Sequence, residues 1–349
     1  MKILVDIVHP ADVLFFLNPI RRWQQGGHWV SVVSRRKDVT EQLLEAFAVE
    51  HRTISNAGTG LFSLGVELLR RDIALLGFAR QFRPDVMVGF GGVAISHVGK
   101  LMGVPSVSFY DTERAPLQHR LTLPLISHLH VPASYDGPIA RNRTSRFPGT
   151  KDFSYLHPDN FAPVRSIAEA AGLATGCPNY FIRLVGWQAN HDIGYAGWSE
   201  ATLVRFVDHL GARGRVHISS ELPLTAALYQ YRYRGRVEHV HHLLAYCAAY
   251  IGESATMAGE AALLGVPPVY AADDRRCYTD ELAAQGLLWK VPRVEYPALC
   301  DAVHAAEALD EALWSRRLSA YMAGKINLAD YVVQAVLGQV RPHTGTGMR

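Results

Sequence analysis

The chain has 349 residues, 49% of them hydrophobic and 19% charged, with a formal net charge of +3. That length suits two domains, and the composition is far from that of a disordered chain. The charge balance is too slight, and too free of Lys/Arg blocks among aromatics, for nucleic acid to be the ligand.

In chain order, "KILVDIV" reads as a buried first strand rather than a signal peptide, and "VLFFLNPIRRWQQGG" as a helix ending at Gly26-Gly27. "HWVSVVSR" is the next strand and "VTEQLLEAFAV" the next helix. Residues 61–83, "LFSLGVELLRRDIALLGFARQFR", carry apolar residues at helical spacing together with Arg70, Arg71, Arg80 and Arg83. Most such helices pack one face on a sheet; the sharper reading is a peripheral contact with an anionic membrane surface. "DVMVGFG", "AISHVGKLMG" and "VPSVSFYD" form a strand–helix–strand unit.

After "LTLPLISHLHVPAS" the pattern lapses into a Gly/Pro/Asn/Arg-rich stretch, 135–164. Periodicity then returns with "NYFIRLVGW", "SEATLVRFVDHLGARG" (Ser199 as cap) and "RVHISS". The segment "IGESATMAGEAALLGVPPVY" follows, and a helical region from 318 closes the chain. The alternation predicts an α/β protein of two Rossmann-like domains with parallel sheets, whose strand ends face a cleft. We place the first domain at 1–146, a linker at 147–164, the second domain at 165–325, and a terminal helix and tail at 326–349. Cys177, Cys247, Cys277 and Cys300 form no C-x-x-C pair, and no run reaches the ~18 apolar residues of a membrane span. A cytoplasmic protein is expected.

Strand ends are where chemistry is sought. After the first strand, His9 is either a proton acceptor for a hydroxyl or the cap of the helix that follows. Gly91-Gly92 form a turn that lets a ligand approach the backbone, without the lysine of a phosphate-binding loop. Asp111, Glu113, Arg114, His119 and Arg120 crowd the end of another strand; one Asp-x-Glu is a weak metal motif. Trp187, Asn190, His191 and Asp192 lie in a glycine-bearing loop suited to a base or phosphate. Ser220 and Glu221 close another strand, and His239, His241 and His242 look like a metal tract. Because His241 and His242 are adjacent, they do not share a helix face, and packing at a helix start is the better account. Ser254, Ala255, Thr256 and Met257 open a helix whose N–H groups and dipole suit a diphosphate, with Glu260 one turn in as an acceptor for ribose hydroxyls. Arg275 and Arg276 are placed to neutralise the diphosphate.

"GESATMAGEAALLGVP" resembles the nucleotide-binding segment of GT-B glycosyltransferases and of non-hydrolysing UDP-N-acetylglucosamine 2-epimerases, with Ser254, Thr256, Glu260, Gly265 and Pro267 on its positions. "LVGWQANHDIGYAGWSEATLVRFVDHL" is similar to the epimerases' histidine-bearing strand and helix start. "VPSVSFYDTER…HRLT" looks like the segment that places Glu113 on the epimerase glutamate and Arg120 on the arginine. The whole also resembles an uncharacterised bacterial and archaeal family, through "NRLTLP"-, "W.A.HD.G"- and "ISSE"-like motifs. Two acidic residues of the epimerases are missing: one where Gly91-Gly92 stand, another from "APLQH". Epimerisation by elimination needs paired acid/base groups, so that chemistry is short of partners.

The resemblance implies a GT-B-like glycosyltransferase without a cofactor or metal, taking a nucleotide-diphosphate sugar, by analogy uridine-linked, and an unidentified acceptor hydroxyl. His9, Glu113 and Asp111 are the catalytic candidates. Nucleotide binding falls to Ser254, Ala255, Thr256, Met257, Glu260, Trp187, His191, Asp192, Ser220 and Glu221. Sugar or diphosphate binding falls to Gly91, Gly92, Arg120, Asn190, Arg275 and Arg276. Nucleotide-sugar conversion without an acceptor, and ligand binding without turnover, are the rival readings.

Overall fold

A computed structural model of the chain describes residues 1–56, 58, 60–186 and 197–339. They fall into two compact units: Met1–Ala133 with Gly137–Tyr155 and the chain from Ile326, and Ser134–Asp136 with Leu156–Lys325.

The first unit is built on strands β1 (Lys2–Ile7), β2 (Trp29–Arg36), β3 (Arg52–Asn56), β4 (Val86–Phe90), β5 (Ser106–Phe109), β6 (His128–Pro132) and β7 (Thr144–Phe147). Helices α1 (Pro10–Gln25), α2 (Thr40–Ala46), α3 (Leu61–Phe82), α4 (Val93–Met102) and α5 (Pro116–Thr122) connect them. All pairings are parallel, in the order β3-β2-β1-β4-β5-β6-β7. β1 and β4 are covered on both faces, which is why they read as largely apolar runs, with the buried Asp6 of β1 as the exception. Phe15 and Phe16 of α1 anchor the core, Phe15 meeting Phe90 and Phe109 at ring-centroid distances of 5.1 and 5.3 Å. Each such fully buried ring contributes up to about 3 kcal/mol.

The second unit holds β8 (Asn179–Leu184), β9 (Arg215–Ser220), β10 (Ala249–Gly252), β11 (Pro268–Tyr270) and β12 (Trp289–Lys290), again parallel, ordered β12-β11-β10-β8-β9. Its helices are α6 (Arg165–Ala170), α7 (Glu200–Gly211), α8 (Val240–Leu244), α9 (Ala255–Leu263), α10 (Cys277–Ala284), α11 (Tyr296–Glu307) and α12 (Glu311–Ala323). The last helix, α13 (Leu328–Leu337), returns to the first unit, where Asp330 pairs with Arg22 of α1 at 2.7 Å. In each sheet, consecutive strands run outward from a switch point, between β1 and β4 in one and between β8 and β10 in the other. Crevices at such points are where open α/β sheets bind ligands.

Two expectations need revision. Much of the Gly/Pro/Asn/Arg-rich stretch read as a linker is part of the first unit. β7 completes its sheet, and the 3-10 turn Lys151–Ser154 docks on α1 through Ser154 Oγ to Phe15 O and Asn18 Nδ2 to Ser154 O, 2.9 Å. Turn-rich composition hid a short strand and three buried rings, Phe147, Phe153 and Tyr155. In α3, Arg71 does not face outward with Arg70, Arg80 and Arg83. It is 4% exposed and pairs with Asp6, and its other terminal nitrogen donates to Ser55 Oγ at 2.7 Å. The exposed basic residues of the helix are therefore Arg70, Arg80 and Arg83, without Arg71. Among the described residues, no helix is long and apolar enough to cross a membrane.

Candidate functional site

In the first unit, the predicted residues follow the C-terminal ends of β1, β4 and β5. His9 is an exposed N-cap: its Nδ1 accepts the Ala11 N–H at 3.2 Å. Asp12 completes a capping box, accepting the N–H groups of Val8 and His9 at 3.0 and 2.9 Å. A ring that accepts at Nδ1 carries its neutral-state proton on Nε2. Neutral His9 thus offers Nε2–H as a donor rather than a base. Asp12, which sequence reasoning passed over, is fully buried. Burial pushes its carboxyl up to about 7, against the opposing pull of the two backbone N–H groups and Lys151.

Gly91 and Gly92 have φ of 77° and 56°, in the left-handed region that favours glycine. The space beside Gly91 is taken by Gln118, whose Nε2 would lie 2.3 Å from an added Cβ, and Gln118 is held by Tyr110 Oη at 3.0 Å. The turn's conformation is therefore accounted for by the unit's own packing. Asp111 is buried and pairs with Lys151 at 3.1 Å, with Lys151 Nζ 5.7 Å from the Phe90 ring centroid. Glu113 is half-buried beyond it, and Arg114 and Arg120 are exposed. Lys151 was missed because it stands in the stretch read as linker.

In the second unit, the Ser254–Met257 turn opens α9 at the switch point. Ser254 Oγ caps the helix by accepting Met257 N–H at 3.2 Å, and Ala258 N–H makes the first bond to Ser254 O at 3.0 Å. Among the described residues, the N–H groups of Ala255 and Thr256 have no partner, as expected for a first helical turn. Tyr250 Oη donates to Ser254 O at 3.0 Å and braces the turn. Gly252 admits no side chain: an added Cβ would lie 2.4 Å from Arg183 O on the neighbouring strand.

Glu260 is buried on α9, its Oε1 3.2 Å from His241 Nε2 of α8. Glu253, also unanticipated, is 4% exposed and accepts Val185 N–H at 2.9 Å and Trp198 N–H at 3.2 Å. It thereby ties the end of β8 to the approach of α7.

The remaining candidates serve the fold in visible ways. Ser220 makes a local turn with Leu222, accepting its N–H at 3.1 Å and donating to its O at 2.7 Å. Glu221 binds Arg183 at 2.5 Å and Gly186 N–H at 2.9 Å. Arg276 is paired with buried Asp274 at 2.7 Å; Arg275 is exposed and paired with Asp136 and Asp280 at 3.1 and 2.7 Å. Neither is an unengaged cation beside the α9 turn. Trp187, Asn190, His191 and Asp192 lie outside the described residues.

Residues 1–161 match a family model described as "Protein of unknown function (DUF354)". No curated protein matches the sequence. Among solved structures, the chain is similar to a UDP-GlcNAc 2-epimerase from Methanocaldococcus jannaschii in complex with UDP-GlcNAc and UDP. There the TM-score is 0.64 at 13% identity, over 89% of this chain and 94% of that one. A UDP-GlcNAc 2-epimerase from Neisseria meningitidis bound to UDP-GlcNAc gives 0.63 at 14% identity, over 97% and 100% of the two chains. The spinosyn rhamnosyltransferase SpnG, complexed with spinosyn aglycone, gives 0.65 at 15% identity, over 96% and 100%. Identities this low carry fold alone. The chain thus matches the DUF354 family over its first 161 residues and has the GT-B fold shared by these epimerases and glycosyltransferases.

Proposed function

We propose that the protein is a glycosyltransferase of the GT-B type, which moves a sugar from a nucleoside diphosphate, uridine-linked by analogy, to an acceptor hydroxyl. The observation that carries the reading is the α9 turn at its switch point. Two N–H groups without a partner among the described residues, on Ala255 and Thr256, stand at the positive end of a nine-residue helix, one turn before a buried carboxylate. The N–H pair would hold the diphosphate and stabilise its charge as it leaves, and Glu260 would take the ribose hydroxyls.

The acceptor side falls to the first unit. There Glu113 serves as the base and His9 as an Nε2–H donor, with Lys151 paired to Asp111. Two epimerases of similar fold are seen with UDP-GlcNAc bound, which favours a uridine nucleotide. Epimerisation is disfavoured: the Gly91-Gly92 turn supplies no acid, and Gln118 fills the space beside Gly91. Acceptors in cell-envelope polysaccharide, glycolipid or secondary-metabolite synthesis fit the class.

A thermal-shift series with UDP, GDP, ADP, CDP, dTDP and their common sugars tests the reading. A bound ligand at ~100 Kd adds roughly 2.7 kcal/mol of apparent stability. A shift with one base, lost in Glu260→Gln, supports it; silence from every nucleotide rejects it. Conversion of the sugar nucleotide without an acceptor would move the protein to the epimerases or hydrolases.

A further inference from the structure

Strand β3 is an edge of the first sheet. It pairs with β2 alone, so alternate backbone N–H and C=O groups along Arg52–Asn56 face away from the sheet. Between β3 and α3 lies a recess of about 360 Å³. Arg52 and Ile54 wall it from the strand, and Ala74, Gly77, Phe78 and Gln81 from the helix. Thr53, between the two strand residues, turns its hydroxyl to the other face and donates to Glu41 Oε1 at 2.6 Å.

Two features mark the recess as a place for an inserted side chain. Gly77 stands inside a 22-residue helix, where glycine costs about 1 kcal/mol relative to alanine, and a Cβ there would meet nothing within 4 Å. The unit's own packing therefore does not call for glycine at that position. The Arg52 guanidinium lies over the Phe78 ring, 5.5 Å from its centroid, and among the described residues it has no ion pair. Arg70 shares a helix face with Ala74, Gly77 and Gln81, is exposed, and likewise has no ion pair among the described residues. It stands about 12 Å along the helix from Phe78, so the two cations bracket the recess.

In an extended chain, residues i and i+4 are about 13 Å apart and share a face with i+2. We propose that β3 and α3 form a docking site for an extended acidic segment of a partner protein, with an acidic, an apolar and a second acidic residue at alternate positions. The segment adds a strand to β3 through its backbone. Its carboxylates meet Arg52 and Arg70, and the apolar side chain between them enters the recess beside Gly77. A second copy of β3 is the poorer occupant, since it brings two more arginines instead of carboxylates.

The experiment is fluorescence anisotropy of the full chain with labelled peptides Ser-Glu-Thr-X-Thr-Glu-Ser, where X is Val, Ile, Leu or Phe. At least one should bind at low salt. Changing both peptide glutamates to glutamine, or combining Arg52→Ser with Arg70→Ser, should weaken binding about tenfold, from up to about fivefold for each exposed ion pair. Gly77→Leu fills the recess and favours the helix, so binding should vanish while circular dichroism and thermal stability stay at least those of wild type. N-methylating two adjacent peptide nitrogens, one of which must face β3, should abolish binding as well. No binding by any of the four peptides overturns the proposal. Binding that survives both Gly77→Leu and N-methylation is loose pairing with surface arginines, and overturns it too. Dimerisation of wild type that Gly77→Leu abolishes would give the recess to a second copy, with the same consequence.

Discussion

Lys151, on the turn after β7, holds the buried carboxylate of Asp111 at 3.1 Å, with side-chain exposures of 11% and 7%. Removing one partner of a buried pair leaves an uncompensated charge, at a cost on the order of 3 kcal/mol. Lys151→Met should destabilise the protein by about that much in urea, and the double variant Lys151→Met/Asp111→Leu should recover most of the loss. Additive losses would show that the pair is not coupled.

Asp12 gives the first unit a pH signature. Its carboxyl is raised to about 7, so the folded state holds a proton that the unfolded state releases near pH 4. The stability this contributes is full below the unfolded value and is lost as pH rises through about 7. Asp6, Lys151 and the N–H groups of Val8 and His9 surround it. The difference in unfolding free energy between wild type and Asp12→Asn should fall between pH 4 and 7 and be flat above. A difference curve without slope in that window would remove Asp12 from the titration.

His217 has the opposite sign. Burial pushes its imidazole down to about 4, and its Nε2 contacts Asn179 Oδ1 at 3.1 Å. Its contribution is present above the ordinary value of 6.5 and is lost as pH falls toward 4. Acid unfolding of His217→Gln should begin at lower pH than in wild type; an unchanged onset would place the acid sensitivity elsewhere.

Ser254→Ala tests capping against ligand binding. Losing the Ser254 Oγ acceptor should cost about 1 kcal/mol. The thermal shift with the cognate nucleotide should persist, because the N–H groups of Ala255 and Thr256 remain. Loss of the shift in a folded Ser254→Ala protein would show that the hydroxyl itself binds ligand.

Glu253→Ala should be the harsher change in that strand end. It strips acceptors from the buried-side N–H groups of Val185 and Trp198, each orphan costing about 1–3 kcal/mol. Chemical denaturation measures it, and a loss below that of Ser254→Ala would contradict the clamp.

The parallel α/β alternation was legible because strands such as Val86–Phe90 carry no polar side chain, and Ser254 because a small polar residue before an Ala/Leu run is a cap signal. His9 showed its position but not its tautomer, which depends on a three-dimensional contact with Ala11. Lys151 was illegible: nothing local distinguishes a lysine after Gly149-Thr150 that docks on α1 from one in solvent. For the α8 histidines, adjacency showed that the two rings diverge. It did not show which carboxylate one of them meets, since His241 and Glu260 come together only when α8 and α9 pack.

The return of α13 to the first unit bears on the order in which the protein is made. The Tyr331 hydroxyl lies in hydrogen-bond contact with His130 Nδ1 at 2.8 Å, and its ring meets Phe147, with centroids 5.6 Å apart. A ribosome that has delivered the whole of the first sheet has therefore still to deliver the helix that covers part of it. The second unit, begun later, is complete by Lys325. Vectorial synthesis favours whichever unit is finished first. The unit that starts the chain is the one that must wait, with the surface under α13 open to water until the last turn of the helix emerges.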